Sequence, residues 1–149
     1  MGTDCDDTSD TTFIGAAHND DLTACMTDND GDGYGDSNPT DPNIDSGSDC
    51  DDSSSHTFVG AAEIDNPTAC MADSDADGYG DTNPPNPNVS PGADCNDTNP
   101  DISPQAIEVC DGIDNDCDGL SDDSDNSLDL NTALNLFSDT DGDGYGNPN

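Results

Sequence analysis

The chain has 149 residues, 36 acidic side chains and neither Lys nor Arg, for a formal net charge of −36. Apolar residues make up 28% of it and aromatics 4%, far short of the near-half apolar content from which an ordinary domain builds its core. Taken alone, this composition describes a disordered polyanion, and it excludes nucleic acid and anionic membranes as partners, since no basic side chain exists to meet a phosphate.

Two features argue that the chain folds once something else is supplied. Every acid except Glu63 and Glu108 is Asp. Its short carboxylate bonds neighbouring backbone in turns and is the standard oxygen ligand of tight calcium loops. Seven Cys at regular places imply disulfide staples and an oxidising compartment. The expectation is a secreted or cell-surface protein. No apolar run approaches a membrane span and no signal peptide is visible, so the chain reads as a mature form or a fragment of something longer.

In chain order, Asp4-Cys5-Asp6-Asp7 opens the first of three units. It recurs as Asp49-Cys50-Asp51-Asp52 and as Asp94-Cys95-Asn96-Asp97, each step being 45 residues. Phe13-Ile14-Gly15-Ala16-Ala17 follows, returning as Phe58-Val59-Gly60-Ala61-Ala62, and short strands are expected at Phe13-Ile14 and Phe58-Val59. Cys25-Met26 returns as Cys70-Met71. Pro- and Asn-rich connections such as residues 83–88 read as extended or turning. The nearest approach to a helix is Pro104 to Cys110. The units run 4–48, 49–93 and 94–149. The last carries a 21-residue insertion, because its final loop starts 66 residues after Asp73. The fold class expected is a mostly irregular, loop-rich tandem repeat, an elongated rod stapled by calcium and disulfides with little helix or strand.

Four segments fit Asp-x-Asp-x-Asp-Gly: 28–33, 73–78, 114–119 and 139–144. Alternating carboxylates followed by Gly describe the first half of an EF-hand-type calcium loop. Positions 1, 3 and 5 are Asp28, Asp30 and Asp32; Asp73, Asp75 and Asp77; Asp114, Asp116 and Asp118; and Asp139, Asp141 and Asp143. Position 7 offers the backbone carbonyl of Tyr34, Tyr79, Leu120 or Tyr145. Position 9 is Asp36, Asp81, Asp122 or Asn147. Position 12 departs from the EF-hand, being Pro39 and Pro84 in the first two loops and an acid, Asp125, only in the inserted loop. The missing ligand must come from elsewhere. The recurring Asp4/Asp6/Asp7 and Asp49/Asp51/Asp52 clusters, with Asp94, are the expected donors, or they form additional sites. About four or more calcium ions per chain follow. Magnesium fits less well, since it keeps its waters and seldom occupies dedicated carboxylate cages. Scattered acids such as Asp20, Asp21 and Asp129 read as a solvated face.

The run Asp94-Cys95-Asn96-Asp97-Thr98-Asn99-Pro100, followed by Glu108-Val109-Cys110-Asp111-Gly112-Ile113-Asp114-Asn115-Asp116-Cys117-Asp118-Gly119, resembles the bacterial metal-binding motif repeat of the MopE type. The Asp-Gly-Tyr-Gly-Asp elements are also similar, more loosely, to thrombospondin type 3 repeats. The resemblance implies large secreted or surface proteins in which such repeats form calcium-dependent stalks. The copper attached to the first family's name is not carried over. This chain has no Trp, and His18 and His56 fall at non-equivalent repeat positions.

Equal separations pair Cys5 with Cys25 and Cys50 with Cys70, and Cys95 with Cys110 is expected in the third unit, leaving Cys117 over. A thiolate metal cluster is the alternative, although no Cys-x-x-Cys occurs. Tyr34, Tyr79, Tyr145, Phe13, Phe58 and Phe137 read as packing plugs between loops, and both His as exposed. Asn88-Val89-Ser90 and Asn96-Asp97-Thr98 match the N-glycosylation pattern.

No Ser or Cys has a plausible His base, and the chain can hardly build the apolar pocket that paired catalytic acids need. An enzyme is not expected. The expected function is a calcium-rigidified stalk or filament subunit, whose metal-binding free energy becomes folding free energy. Alternatives are a calcium-dependent adhesion module on a bacterial surface and a disordered acidic polymer. Joining Gly146 to Asp4 leaves a six-residue linker against 13 at the internal junctions, which suggests head-to-tail self-association or a window of a longer tandem chain.

Overall fold

The structure, a computed structural model, describes residues 4–130. The loop at Asp139, Asp141, Asp143, Tyr145 and Asn147, together with Phe137, lies outside those residues.

Each of the first two repeats folds around one three-residue hairpin. In the first, β1 (Thr12–Ile14) pairs antiparallel with β2 (Cys25–Thr27), Phe13 opposite Met26. In the second, β3 (Thr57–Val59) pairs with β4 (Cys70–Ala72), Phe58 opposite Met71. β1 and β3 fall on the aromatic and β-branched pairs, where strand propensity is highest. Their partners carry no alternating pattern, and what holds them is covalent: Cys5–Cys25 and Cys50–Cys70 are disulfides. Two-stranded hairpins are marginal in water, so the staples and the loops that follow must supply the rest.

The core is correspondingly small. Ala17 and Met26 are buried in repeat 1, and Ala62, Met71 and Tyr79 in repeat 2. Gly35 and Gly80 lie against these side chains, where an added Cβ would press on Ala17 and Met26 or on Ala62 and Met71. The fold is irregular, loop-rich and disulfide-stapled, with no α-helix among the described residues. Pro104 to Cys110 forms turns and extended chain; the one helical element described is a 3-10 turn at Asp122–Ser124. The third repeat also corrects the expected pairing. Cys95 is bonded to Cys117, 22 residues away, and Cys110 lies outside the three disulfides. The insertion thus keeps nearly the 20-residue span of the other two staples by taking its second Cys from inside the inserted loop. No helix among the described residues is long and apolar enough to cross a membrane.

Repeats meet edge to edge. Asp36 forms an isolated parallel bridge with Asp49, and Asp81 with Asp94. Asp49 also bridges Phe58 antiparallel, as Asp4 does Phe13. In repeats 1 and 2 the first acid is thereby held by its own hairpin, and in repeats 2 and 3 it is delivered to the loop of the repeat before.

Candidate metal centres

The loops begin as turns made by their own carboxylates. Asp28 accepts hydrogen bonds from Gly31 N (2.7 Å) and Gly33 N (3.1 Å), and Asp73 from Ala76 N (2.7 Å) and Gly78 N (3.0 Å). Position 6 needs a left-handed backbone, with φ +93° at both Gly33 and Gly78, which glycine adopts without steric cost. Position 4 is left-handed too, and Ala76 and Cys117 accept that conformation where repeat 1 has Gly31. Tyr34 N donates to Asp32 Oδ1 and Tyr79 N to Asp77 Oδ1, so each carboxylate at position 5 spends one oxygen on the loop.

The other oxygens are left over. Asp30 Oδ2 and Asp32 Oδ2 are buried with no hydrogen-bond partner, as are Asp75 Oδ2 and Asp77 Oδ2. The next repeat adds a third: Asp49 and Asp94 are fully buried at 0% exposure, and their Oδ2 atoms also lack partners. The three carboxylates meet. Asp30, Asp32 and Asp49 bring one oxygen each within 4.8 Å of one another, as do Asp75, Asp77 and Asp94. Oxygens bound to one calcium at about 2.3–2.6 Å lie at most about 5 Å apart, so each triad has the span of a single-ion site. A second triad at each junction consists of Asp28, Asp30 and Asp52, or Asp73, Asp75 and Asp97. There the last acid also fastens the loop. Asp52 accepts from Asn29 N and Asn29 Nδ2, and Asp97 from Ser74 N and Ser74 Oγ.

Three like charges in a dry site repel and are poorly solvated. Burial, then the neighbouring Asp30, Asp32 and Asp52, pushes Asp49 up to about 7. Burial, then Asp77, Asp75 and Asp97, pushes Asp94 up to about 6, and burial with Asp36, Asp30 and Asp28 takes Asp52 to about 6. Asp30, Asp32, Asp73, Asp75 and Asp97 are raised as well, burial being the first cause in each. Protons or a cation must offset this cost, and buried oxygens aimed at one point are suited to a cation.

Asp20 and Asp65, far from a solvated face, hold these junctions in register. Asp20 accepts from Gly35 N (2.9 Å), Ser48 N (2.9 Å) and Ser48 Oγ (2.6 Å). Asp65 accepts from Gly80 N (3.0 Å) and Ala93 N (2.8 Å). Each carboxylate ties the end of one loop to the residue that precedes the next repeat's first acid. Gly47 and Gly92 permit the approach, since a Cβ there would collide with the carbonyls of Gly35 and Gly80. Neither role has a sequence signal, because every partner is distant. Asp21, by contrast, accepts locally from Thr23, and Asp129 N donates to Glu108 O.

The inserted loop has unpartnered buried oxygens of its own. Asp114 Oδ1, Asp116 Oδ1 and Asp125 Oδ2 are its buried oxygens without partners, Asp125 being 7% exposed. Asp125 is the position-12 acid of this loop. Beside it, fully buried Glu108 accepts from Asn115 N (2.8 Å) and Asp122 N (2.9 Å), fastening both ends. Asp118 accepts from Leu120 N, and Asp122 from Gly112 N.

Two expected donors serve otherwise. Asp6 caps a turn by accepting from Thr8, and Asp51 accepts from Ser53 Oγ and Asn86 Nδ2. Both carboxyls are lowered, with those side-chain hydrogen bonds as the first cause. Asn96, their counterpart, accepts from Thr98 Oγ1 of its own glycosylation pattern, while Asn88 is exposed. Asp97, the counterpart of Asp52 in the recurring cluster and also part of that pattern, is the acid that enters the second triad. Asp36 and Asp81 form the junction bridges and cap turns at Asn38 and Asn83. Tyr34 stacks on Phe58 of the next repeat at 4.2 Å between ring centroids, and Tyr79 is buried. Asp4 is exposed.

The donors fit a hard cation. Copper prefers imidazole and sulfur, but His18 and His56 are both exposed, and the Asp94/Cys95/Cys117 group has its sulfurs joined in a disulfide. The residues present do not fit that metal. No curated protein and no solved structure matches the chain. Residues 49–82 and 94–123 are each similar to the family model described as "Putative metal-binding motif", the MopE type; Asp49, Asp52, Asp73, Asp75, Asp77, Asp94 and Asp97 of the carboxylate groups lie within those segments, and Asp28, Asp30 and Asp32 lie before them.

Proposed function

We propose that this chain is an extracellular, non-catalytic calcium-binding protein in which cations fasten each repeat to the next, making a stalk or filament subunit. The observation that carries this reading is the fully buried Asp49 and Asp94, each lent by one repeat to the loop of its predecessor with an oxygen that has no partner. Such a carboxylate is costly in a cation-free fold and becomes a stabilising ligand once an ion binds. All-carboxylate donors favour calcium over softer metals, and magnesium holds its waters too tightly for a closed carboxylate site. The three disulfides support an oxidising, extracellular setting. Asp4 sits in the same bridge to its hairpin as Asp49. A loop from a second copy, or from further chain of the same pattern, would complete a site there and extend the array head to tail.

Native mass spectrometry before and after a chelator tests the reading. Three or more calcium ions per chain are expected, lost together with a shift to an expanded charge-state distribution. A chain that takes up no calcium at millimolar concentration would overturn it.

A further inference from the structure

The junctions lie on the path that tension takes along the chain, and we propose that the protein bears load, with the cation at each junction setting the force at which the repeats part. This rests on the cation sites proposed above.

Force entering at Asp4 meets Cys5 at once. The Cys5–Cys25 disulfide carries it past residues 6–24, which stay slack. It then enters the first loop, where Asp30 and Asp32 face Asp49 of the next repeat. An ion held by those three carries the force across and shields residues 33–48. The residue after Asp49 is Cys50, which passes the load to Cys70 and shields residues 51–69. Asp75 and Asp77 pass it to Asp94, shielding residues 78–93, and Cys95 follows immediately, bonded to Cys117. Covalent staples and cation locks therefore alternate in series, each lock's far ligand adjacent to the next staple.

The direction of loading favours the lock. Asp36 and Asp49 lie in a parallel bridge. Tension pulls the first strand toward its N-terminal side and the second toward its C-terminal side, along the strands in opposite senses. Asp49 N to Gly35 O (2.8 Å), Ser37 N to Asp49 O (2.7 Å) and Gly47 N to Asp36 O (2.9 Å) are then sheared together, where unzipping would take them singly. The second junction repeats this with Asp94 N to Gly80 O (2.9 Å), Thr82 N to Asp94 O (2.9 Å) and Gly92 N to Asp81 O (2.8 Å). These few bonds, exchanged for bonds to water when they break, hold little alone. An ion bridging the same two strands acts in parallel with them, so its presence decides the rupture force.

Single-molecule force spectroscopy of the full chain, pulled from its two ends, tests this. In calcium, two discrete releases of roughly 55 Å each are expected, the contour of about 16 residues at ~3.5 Å per residue. In the inserted loop only residues 118–124 lie between Cys117 and Asp125, and an ion held there would give a release of somewhat under half that length. A chelator should abolish the two large peaks without changing the final contour length. Reductant should then add roughly 65 Å for each of the first two staples, of about 19 residues, and roughly 75 Å for the third, of about 21. Asp49→Asn together with Asp94→Asn should lose the calcium-dependent peaks and keep the reductant-dependent lengthening. Calcium uptake in a parallel titration with the same rupture force in calcium and chelator would overturn the load-bearing proposal while leaving the cation sites standing. No uptake would overturn both.

Discussion

One loop pattern is closed in two ways in this molecule. The loops at 28–33 and 73–78 borrow Asp49 and Asp94 from the repeat that follows, whereas the inserted loop at 114–119 has an acid of its own at position 12, Asp125, whose Oδ2 is buried without a partner as Asp114 Oδ1 and Asp116 Oδ1 are. Each combines two loop carboxylates with a third that is more than nine-tenths buried. What differs is where the third stands in the chain. A borrowed ligand makes ion binding a joint property of two repeats, so binding energy becomes coupling energy between them. A self-supplied ligand stabilises one loop and has no such reach. A position-12 proline in place of the acid is thus no defect of the junction loops; it directs the loop to seek its ligand in its neighbour.

Removing the two closing acids should separate these cases most sharply. Asp49→Asn deletes one of three charges at a shared site, and a loss of about 100-fold in affinity there, or about 2.7 kcal/mol, is expected. Without calcium the same substitution should raise the melting temperature, because a buried, crowded charge has gone. Asp125→Asn should weaken its own site comparably. Hydrogen exchange in calcium reads the difference: Asp49→Asn should deprotect the amides of Ser37, Gly47 and Asp49 on both sides of the junction. Asp125→Asn should deprotect amides around Asn115 and Asp122 and leave the junctions protected. Loss of protection at Asp49 on changing Asp125 would erase the distinction.

The junctions should also respond to pH, with opposite signs in the two metal states. Burial and neighbouring acids raise Asp49 from 3.8 to about 7, and Asp52 and Asp94 to about 6. The cation-free folded chain therefore holds these protons more tightly than the unfolded chain does. That stabilisation is complete below the unfolded value near 3.8 and is lost as pH rises through 6 to 7. Calcium must displace the same protons, so its affinity should rise over that window and level off above it. Melts from about pH 5 to 8 should show the cation-free midpoint falling and the calcium-dependent gain growing. A cation-free midpoint that climbs with pH would contradict the crowding of these carboxylates.

How far the sequence reveals this architecture depends on the distance between partners. The loops, the repeat period and the staples Cys5–Cys25 and Cys50–Cys70 are legible because turn carboxylates act on nearby backbone and the Cys recur in step. β1 and β3 are legible from Phe beside a β-branched residue, while β2 and β4 are strands only because the hairpin and disulfide bring them there. Which acid of each Asp-Cys-Asp-Asp cluster reaches the neighbouring loop is decided by the turn that follows the Cys. Asp51 turns back onto Ser53, and Asp49 and Asp52 face forward. Asp20 and Asp65 act 15 and 28 residues away, beyond any local pattern. Cys117 is not legible as the partner of Cys95 because the residue 20 beyond Cys95 is Asn115, and the staple closes on the Cys two residues further on.

The smallest effect expected divides the two junctions from each other. At the first, the loop residue Tyr34 stacks on Phe58 of the next repeat, with planes 16° apart. At the second, the position 45 residues beyond Phe58 is Ser103, which is buried and donates its N–H to Asn115 O. The carboxylate triads are equivalent, so Phe58→Leu isolates the aromatic contribution to a junction from its metal chemistry. Offset-stacked pairs contribute about 0.5–1.5 kcal/mol beyond the area they bury. The substitution should therefore lower the free energy of opening at the first junction by about 1 kcal/mol, equally in calcium and in chelator, while the second junction keeps its protection. An effect seen only in calcium would mean that the ring positions ligands as well as packing against them, because a stack acting through contact alone cannot depend on whether the neighbouring ion is bound.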